Sequence, residues 1–364
     1  MRVKLKDCAW ERLGDDLILV HDPREALTLT DPDGTVRALL EALSAAPATA
    51  EELAARLRDR GLDLTAEDVR DGLKGLDSLG LVEKADEQWL GDPRLDERHF
   101  SNLTFFGTYS SLERSRADFV RRLRDAHVLV LGVGGGGSSL VQCLAGYGVG
   151  RLTLVDRDDV APRNFARQFL YRHADIGRSK VDRAAEWVRD YDPDIEVRTV
   201  DRWISGPDDL ADLLDDVDVV AGGLDGEHDI HLVVNEAVMR AGVPLVCGGM
   251  GRTQVMYCSV DPGVSPCLLC DESDQPSPTE RTSAGVARRL SHGLELNNAL
   301  IAPIAMQVGS LIALEALRYL TGFEAPRAAG TRVTLDLRTG LTTETVPFPR
   351  DPDCRACALA PERR

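Results

Sequence analysis

A run of aliphatic residues that ends in a cluster of glycines constrains the fold of this chain more than any other segment. Residues 128–131 read Val-Leu-Val-Leu, and the next six residues contain five glycines: Gly132, Gly134, Gly135, Gly136 and Gly137. This pattern predicts a buried strand that enters a helix through a loop without side chains, where free N–H groups and the helix dipole favour an anion. The next buried strand ends at Asp156, roughly 20 residues beyond the loop, where a carboxylate can hold ribose hydroxyls. The segment therefore predicts a βαβ unit that binds a nucleotide through these glycines.

The polar residues after Asp156 favour ATP over a nicotinamide dinucleotide. They include Asp158, Asn164, Arg167, Gln168 and Lys180. Arg167 and Lys180 can neutralise a triphosphate, and Asn164 and Gln168 can hydrogen-bond its oxygens or the ribose. A nicotinamide site needs no such set of cations, so we expect a triphosphate.

Asp225 is the candidate ligand for magnesium. It follows a strand predicted over residues 217–221 and a Gly-Gly turn, at the carboxyl edge of the sheet where open α/β folds bind ligands. Mg²⁺ prefers one or two carboxylates together with phosphate oxygens. Asp225, Arg167 and Lys180 are therefore the predicted catalytic residues, and they are expected to act through orientation and charge neutralisation rather than as nucleophiles.

At these positions the chain resembles the ThiF-type adenylyltransferases, which include ubiquitin-activating enzymes and the activators of sulfur carriers in thiamine and molybdopterin synthesis. The resemblance covers about residues 100–357 and includes Asn-x-x-Arg-Gln at 164–168, Ile-Gly-x-x-Lys at 176–180 and a late helix at 302–322. It implies a Rossmann-like doubly wound sheet and a homodimer. It also implies that Asp156 binds ribose, that the residues at 164, 167, 168 and 180 contact ATP, and that Asp225 coordinates Mg²⁺ while a carboxylate attacks the α-phosphate.

Two Cys-x-x-Cys pairs predict a structural zinc site. Cys267 and Cys270 form one pair, and Cys354 and Cys357 form the other. Two such pairs can close a tetrahedral thiolate site even when they lie far apart in the sequence, and four thiolates leave no open position for water. Disulfides or a thioredoxin-like motif are the alternatives, but neither pair opens a helix of a thioredoxin-like unit. The other four cysteines, at positions 8, 143, 247 and 258, lie in apolar stretches and are expected to be core or helix residues. Cys143 is predicted on the helix after the glycine loop, and Cys247 and Cys258 are predicted on strands.

A small winged-helix (α+β) domain is predicted ahead of the nucleotide-binding part. Residues 17–20 and 26–29 are expected to form a β-hairpin, and helices are expected at 34–43, from Thr49 to Gly61 and from Thr65 to Leu79, followed by a short strand. The predicted domains are residues 1–86, a linker at 87–98 and the adenylation domain at 99–364.

The charge of this front segment argues against DNA as its ligand. Residues 1–90 contain 12 basic and 20 acidic residues, and the third helix carries Glu67, Asp68, Asp71 and Asp77, which phosphates would repel. The segment resembles instead the PqqD-like domains, which bind the leader of a ribosomally made precursor peptide as an added strand. That resemblance implies a groove lined by the strand at 26–30 and by Arg70, Lys74 and Asp77. A purely structural appendage that helps dimerisation is the alternative.

Together the two parts predict an enzyme that binds a precursor peptide by its leader and adenylates one of its carboxylates, as the microcin-C-type branch of the family does. Two alternatives stay open. One is an adaptor without catalysis, which would deliver the peptide to a YcaO-type cyclodehydratase, and the other is an activator of a sulfur-carrier protein.

One departure from the family pattern favours the adaptor. The family usually has Arg-Tyr-x-Arg-Gln before the first strand, and its second arginine reaches the ATP bound by the partner subunit. Here residues 98–103 read Arg-His-Phe-Ser-Asn-Leu, without an arginine at that place near Asn102. Arg98, Arg114 and Arg116 are the candidates to replace it.

The overall composition agrees with a cytoplasmic protein that binds neither nucleic acid nor membrane. The formal net charge is −17, and the only long apolar segment, residues 299–320, is interrupted by Pro303, Gln307, Glu315 and Arg318. We therefore expect that segment to form a buried helix.

Overall fold

The computed structural model describes residues 1–85, 89–224, 229–274, 282–292 and 300–362. The chain divides into two compact units, Met1–Arg122 and Leu123–Arg364.

The first unit combines five strands with three main helices. The strands are β1 (Val3–Leu5), β2 (Ala9–Leu13), β3 (Asp16–Asp22), β4 (Glu25–Thr30) and β5 (Val82–Lys84), and the helices are α1 (Thr35–Ala45), α2 (Ala50–Arg58) and α3 (Ala66–Ser78). β2, β3 and β4 form an antiparallel sheet in that order, and β1 pairs with β5. The predicted hairpin and the three predicted helices are confirmed; β1 and β2 were not predicted.

Capping and helical periodicity explain α2 and α3. The side chain of Thr49 accepts a hydrogen bond from the Glu52 amide while the Glu52 carboxylate accepts from the Thr49 amide, and Thr65 and Asp68 repeat this capping box at α3. The buried leucines of α2 and the buried residues Val69, Leu73 and Leu76 of α3 recur at helical spacing, so each helix packs one apolar face into the core of this unit.

The boundary between the units lies further along the chain than the sequence indicated. Residues 93–98 of the predicted linker form α4 (Pro93–Arg98), with proline at the first helical position and Asp92 accepting from the Arg94 amide. Helices α5 (Phe100–Gly107) and α6 (Arg116–Asp125) follow. The fully buried carboxylate of Glu83 accepts hydrogen bonds from Ser110 Oγ (2.6 Å) and Arg116 Nη2 (2.6 Å). A buried carboxylate needs such donors, so Ser110 and Arg116 are part of the packing of the first unit, which extends to Arg122.

The second unit is an α/β fold with an eight-stranded sheet. Its strands are β6 (His127–Leu131), β7 (Arg151–Val155), β8 (Glu196–Val200), β9 (Val219–Gly222), β10 (Leu245–Met250), β11 (Gln254–Val260), β12 (Thr331–Asp336) and β13 (Thr342–Pro347). Its helices are α7 (Gly135–Tyr147), α8 (Lys180–Tyr191), α9 (Ile230–Ala241), α10 (Leu268–Asp274), α11 (Ser283–His292) and α12 (Ala302–Thr321). The sheet order is β13-β12-β11-β10-β9-β6-β7-β8, with parallel pairing from β10 to β8 and antiparallel pairing from β10 to β13. The predicted Rossmann-like doubly wound fold is confirmed.

The strand order places a ligand crevice at the end of β6. The chain runs from β6 to β7 on one side and reaches β9 on the other side later, so the loops after these three parallel strands open at the same edge. Such a switch point is where open α/β sheets bind ligands.

The late helix is confirmed as a buried helix. The lack of a side chain at Gly309 lets α12 cross α7 closely, since a Cβ there would overlap Ser139 Oγ and the Gly136 carbonyl. In addition, Ser139 Oγ donates to the Ala305 carbonyl at 3.2 Å. Among the described helices, none combines the length and the apolar character that crossing a bilayer requires.

Candidate nucleotide-binding site and cysteine cluster

A cavity of about 720 Å³ opens at the carboxyl edge of the parallel strands of the second unit. Its walls include every described residue that the sequence assigned to nucleotide binding or catalysis: Gly132, Gly134, Gly135, Gly136, Gly137, Asp156, Asp158, Asn164, Arg167, Gln168 and Lys180. Asp225, the predicted magnesium ligand, lies outside the described residues. The fold therefore brings the predicted nucleotide-binding set together in one place.

Two glycines of the loop are required by geometry. Gly132 has φ +77°, a left-handed conformation that disfavours side chains, and a Cβ there would stand 2.5 Å from the Gly223 carbonyl oxygen. A Cβ at Gly137, in the first turn of α7, would overlap the Gly132 carbonyl oxygen. The chain therefore turns from β6 into α7 in a space that only glycine fits, and α7 begins within the glycine run, at Gly135.

The carboxylate of Asp156 connects the loops after β6 and β7. Its Oδ2 accepts from the Val133 amide at 2.9 Å, and its Oδ1 accepts from the Asp158 amide at 2.9 Å. Tyr171 donates its hydroxyl to the Val133 carbonyl at 2.6 Å, and burial raises the pKa of Tyr171 far above its usual value. Each oxygen of Asp156 keeps a further lone pair, so the carboxylate is held in a fixed position and can still accept from a ligand hydroxyl.

Lys180 has a carboxylate partner inside the cavity. Its Nζ donates to Asp158 Oδ2 at 2.7 Å, and its side chain is 6% exposed while that of Asp158 is 61% exposed. The first residue of α8 thus presents a desolvated ammonium group whose counter-ion is accessible to solvent. An incoming anion can compete with Asp158 for this ammonium group.

The segment at 162–168 contributes amides and a cation. Asn164 Oδ1 accepts from the Ala161 amide at 2.8 Å, which stabilises the 3₁₀ turn Pro162–Asn164. Gln168 is 3% exposed, and its Oε1 has no hydrogen-bond partner within the described part of the chain. Because a buried amide oxygen without a donor is costly, this atom suits a hydroxyl or amine of a bound ligand.

The wall also contains three arginines and a tryptophan that were not assigned from the sequence: Arg157, Arg163, Arg202 and Trp203. The guanidinium of Arg157 lies 3.4 Å from the ring centroid of Trp203, and Arg202 pairs with Asp212 at 2.6 Å. Arg157 comes just after β7, and Arg202 and Trp203 come just after β8, so their position behind a strand was the available signal. Among the described wall residues, five carry lysine or arginine charge and only Asp156 and Asp158 carry carboxylates, in a chain of net charge −17. This local excess favours an anionic ligand.

The four predicted zinc ligands converge. Their sulfur atoms all lie within 4.8 Å of one another, with 3.7 Å between Cys267 Sγ and Cys354 Sγ and 3.6 Å between Cys270 Sγ and Cys357 Sγ. Tetrahedral coordination with Zn–S bonds of about 2.3 Å implies S···S separations of about 3.8 Å, whereas a disulfide needs about 2.05 Å. The four thiols therefore fit a tetrahedral metal ion.

Two of the three candidate replacement arginines are engaged within the first unit. Arg116 pairs with buried Glu83, and the guanidinium of Arg114 lies 3.9 Å from the ring centroid of Phe119. Arg98 is the last residue of α4.

Residues 109–356 match the model of the ThiF family. This chain belongs to the ThiF family. It is similar to the vegetative HesA protein of Trichormus variabilis, with 31% identity over 261 residues that cover 69% of this chain and 91% of HesA. It is also similar to the molybdopterin-synthase adenylyltransferase of Escherichia coli, with 32% identity over 248 residues that cover 65% of this chain and 88% of that protein.

The fold is shared with E. coli MccB over nearly the whole chain. The crystal structure of MccB with ATP superposes with a TM-score of 0.77 and 18% identity, covering 98% of this chain and 100% of MccB. The structure of the microcin C7 biosynthetic enzyme MccB in complex with N-formylated MccA gives a TM-score of 0.76 with the same identity and coverage. The match includes the first unit as well as the ThiF region.

Proposed function

We propose that this chain is an ATP-dependent adenylyltransferase that activates a carboxylate of a ribosomally synthesised precursor peptide and releases pyrophosphate. The main support is the cationic, glycine-walled cavity in a member of the ThiF family. The fold likeness to MccB supports a peptide substrate, because it extends through the first unit. One of the similar MccB structures is a complex with N-formylated MccA.

The proposed reaction joins two anions. A carboxylate oxygen of the peptide attacks the α-phosphorus of ATP, the bond from the α-phosphorus to the bridging oxygen breaks, and pyrophosphate leaves with that electron pair. Arg167 and Lys180 would neutralise phosphate charge, and Asp156, Asn164 and Gln168 would orient the ribose and phosphates. Because no proton is transferred in this step, a site without a general base is sufficient.

We assign the metals by their ligand chemistry. Asp225 would hold Mg²⁺, which would shield the charge of the β- and γ-phosphates. The four cysteines at 267, 270, 354 and 357 would hold Zn²⁺ in a closed structural site away from the chemistry. The S···S separations support this second assignment.

The first unit is proposed to bind the peptide leader, as a PqqD-like winged-helix domain over residues 1–86. β4 is an edge strand of its sheet, with alternating exposed and partly buried residues, and can pair with an extended peptide. Within the proposed groove, Arg70 pairs with Glu51 at 2.6 Å, Lys74 pairs with Asp71 at 2.8 Å, and Asp77 accepts from the Leu112 amide at 2.9 Å. The two cations are exposed and remain accessible to a peptide, whereas Asp77 is committed to the fold.

The adaptor function is the second candidate, because Arg114 and Arg116 have partners in their own unit. An adaptor would bind the leader and deliver the peptide to a YcaO-type enzyme without using ATP. A third candidate, the activation of a sulfur-carrier protein, is supported by the similarity to the molybdopterin-synthase adenylyltransferase. We propose a cytoplasmic homodimer in each case.

ATP/pyrophosphate exchange distinguishes these candidates. The full chain is assayed alone, with candidate precursor peptides, and with a sulfur-carrier protein ending in Gly-Gly. Exchange that depends on the peptide supports the proposal. Exchange only with the carrier protein supports the third candidate, and tight peptide binding without exchange supports the adaptor.

Hydrogen exchange tests the leader site separately. Amides of β4 should exchange more slowly when the peptide is added, while amides of β2, the opposite edge of the same sheet, should not change. Equal protection at both edges, or at neither, would contradict strand addition at β4.

A further inference from the structure

Two cysteines outside the four-cysteine cluster lie side by side on neighbouring strands of the second unit. Cys247 on β10 and Cys258 on β11 are paired residues in the antiparallel register. Their Sγ atoms lie 3.4 Å apart, and both residues are partly exposed. The sequence placed both on strands, which is confirmed, but register rather than sequence spacing brings the thiols together.

This pair differs from the four-cysteine cluster in a way that decides its chemistry. The cluster offers four thiols at tetrahedral separations. Within the described part of the chain, Cys247 and Cys258 belong to no group of three or more possible metal ligands. Two thiols on directly opposed residues of adjacent strands have backbone spacing within the disulfide range, since paired Cα atoms are about 4.5–5.5 Å apart and disulfides accept about 4.4–6.8 Å. Closing the sulfurs to about 2.05 Å takes a small rotation of each side chain.

We infer that Cys247 and Cys258 are a modification site that closes to a reversible intrachain disulfide when a peroxide or a small disulfide is present. In the unstressed protein both remain thiols, as is usual for a reducing compartment.

The chemistry balances with hydrogen peroxide as the oxidant. The Cys247 thiolate attacks one peroxide oxygen, which gives a sulfenic acid and, after proton uptake, water. The Cys258 sulfur then attacks the Cys247 sulfur, the S–O bond breaks, and a second water leaves with the Cys258 proton. The two thiols lose two electrons and the peroxide gains them.

The two sulfurs have different roles in this sequence. The hydrogen bond with Cys247 and burial raise the pKa of the Cys258 thiol, which makes Cys258 the weaker nucleophile of the two. Cys247 is therefore assigned as the attacking sulfur and Cys258 as the resolving one. β10 continues from Cys247 into Gly248, Gly249 and Met250, which lie on the cavity wall. A disulfide between Cys247 and Cys258 would therefore hold β10 and β11 together where β10 enters that wall.

Mass spectrometry of the zinc-loaded full chain tests this assignment. The protein is treated with hydrogen peroxide at low molar excess, alkylated with N-ethylmaleimide and digested under non-reducing conditions. We expect a cross-linked peptide pair containing Cys247 and Cys258, two hydrogen atoms lighter than the sum of the reduced peptides, which dithiothreitol converts back to free thiols. Cys8 and Cys143 serve as internal controls and should remain alkylated.

Single substitutions sharpen the result. In Cys258→Ser the oxidised Cys247 should be trapped as a sulfenic acid that dimedone labels, whereas Cys247→Ser should leave Cys258 mostly unlabelled. If wild-type Cys247 and Cys258 both stay alkylated at peroxide doses that oxidise Cys8 or Cys143, or if they pair with other cysteines, the inference is wrong.

Discussion

The ammonium group of Lys180 and the carboxylate of Asp158 form an ion pair of 2.7 Å in which the lysine is almost fully buried and the aspartate is mostly exposed. The cation that we assign to ATP phosphates is thus already desolvated and held in place before the nucleotide arrives. Because its partner is solvated, exchanging that carboxylate for a phosphate oxygen costs little desolvation.

Replacing Lys180 should remove catalysis without unfolding the protein. Lys180→Ala should lower peptide-dependent ATP/pyrophosphate exchange by about 10²-fold or more, the usual effect of losing one preorganised electrostatic contact. Asp158 can be hydrated in this variant, so the unfolding midpoint should change little. The matched control is Arg178→Ala, which removes an exposed cation paired with Glu186. Equal exchange in both variants and the wild type would remove Lys180 from the site.

A methyl group in the glycine loop should disrupt the turn from β6 into α7. Gly137→Ala places a Cβ on the Gly132 carbonyl, so we expect a loss of about 2 kcal/mol or more in unfolding free energy and loss of ATP binding. Gly146→Ala on the same helix is the control, since the nearest atom to its new Cβ is Tyr191 Oη at 4.0 Å. Alanine in a helix interior should leave that variant unchanged or more stable by up to about 1 kcal/mol. Chemical denaturation and calorimetric ATP titration measure both effects, and similar losses in the two variants would argue against a specific clash.

The cysteine cluster should hold one zinc ion per chain. Cys354→Ser removes one of four thiolates, so the zinc content measured by plasma mass spectrometry should fall and the unfolding temperature should drop, because a structural metal contributes directly to folding. Cys143→Ser, in the same unit but outside the cluster, should keep its zinc. Full zinc content in Cys354→Ser would be incompatible with a four-thiolate site.

Arg116 should matter for stability more than for catalysis. Its loss leaves Glu83 buried with Ser110 Oγ and a longer contact to Lys4, so Arg116→Ala should cost about 3 kcal/mol of unfolding free energy. Lys74→Ala, which breaks a largely exposed ion pair with Asp71, should cost less than about 0.5 kcal/mol. If Arg116→Ala instead keeps its stability and loses exchange activity, Arg116 replaces the family arginine that is absent near Asn102.

His127 should make stability depend on pH. Burial lowers the pKa of His127 below its ordinary value of 6.5, against the opposing effect of the Asp216 carbonyl. Its Nδ1–H donates to that carbonyl at 3.0 Å, which leaves Nε2 to accept from Thr153 Oγ1 at 2.9 Å. As the pH falls, the unfolded chain therefore takes up the proton on His127 before the folded chain does. The contribution of neutral His127 to the free energy of unfolding is complete above about pH 6.5 and decreases as the pH falls below that value. His127→Gln should flatten the pH dependence of unfolding free energy between pH 7 and 5, and an unchanged slope would assign that dependence to other groups.

Much of the second unit follows from local pattern. The aliphatic run before Gly132 and the later run before Asp156 predicted two parallel strands of a βαβ unit. The loops after parallel strands open at the same edge of a sheet. The same reasoning predicted that Asn164, Arg167 and Lys180 would meet around one cavity. It did not assign Arg157 or Trp203, since their approach depends on how β8 lies beside β7.

The sequence by itself determined the glycine-rich loop between β6 and α7, the order of charged groups behind it and the four thiols of the cysteine cluster, because each is encoded in short spacings along the chain. Only the tertiary structure decided the partners of Lys180 and Glu83, the division after Arg122 and the meeting of Cys247 with Cys258. These depend on sheet order, strand register and the need of buried charges for nearby donors, which bring together residues whose separation in the sequence gives no sign of contact.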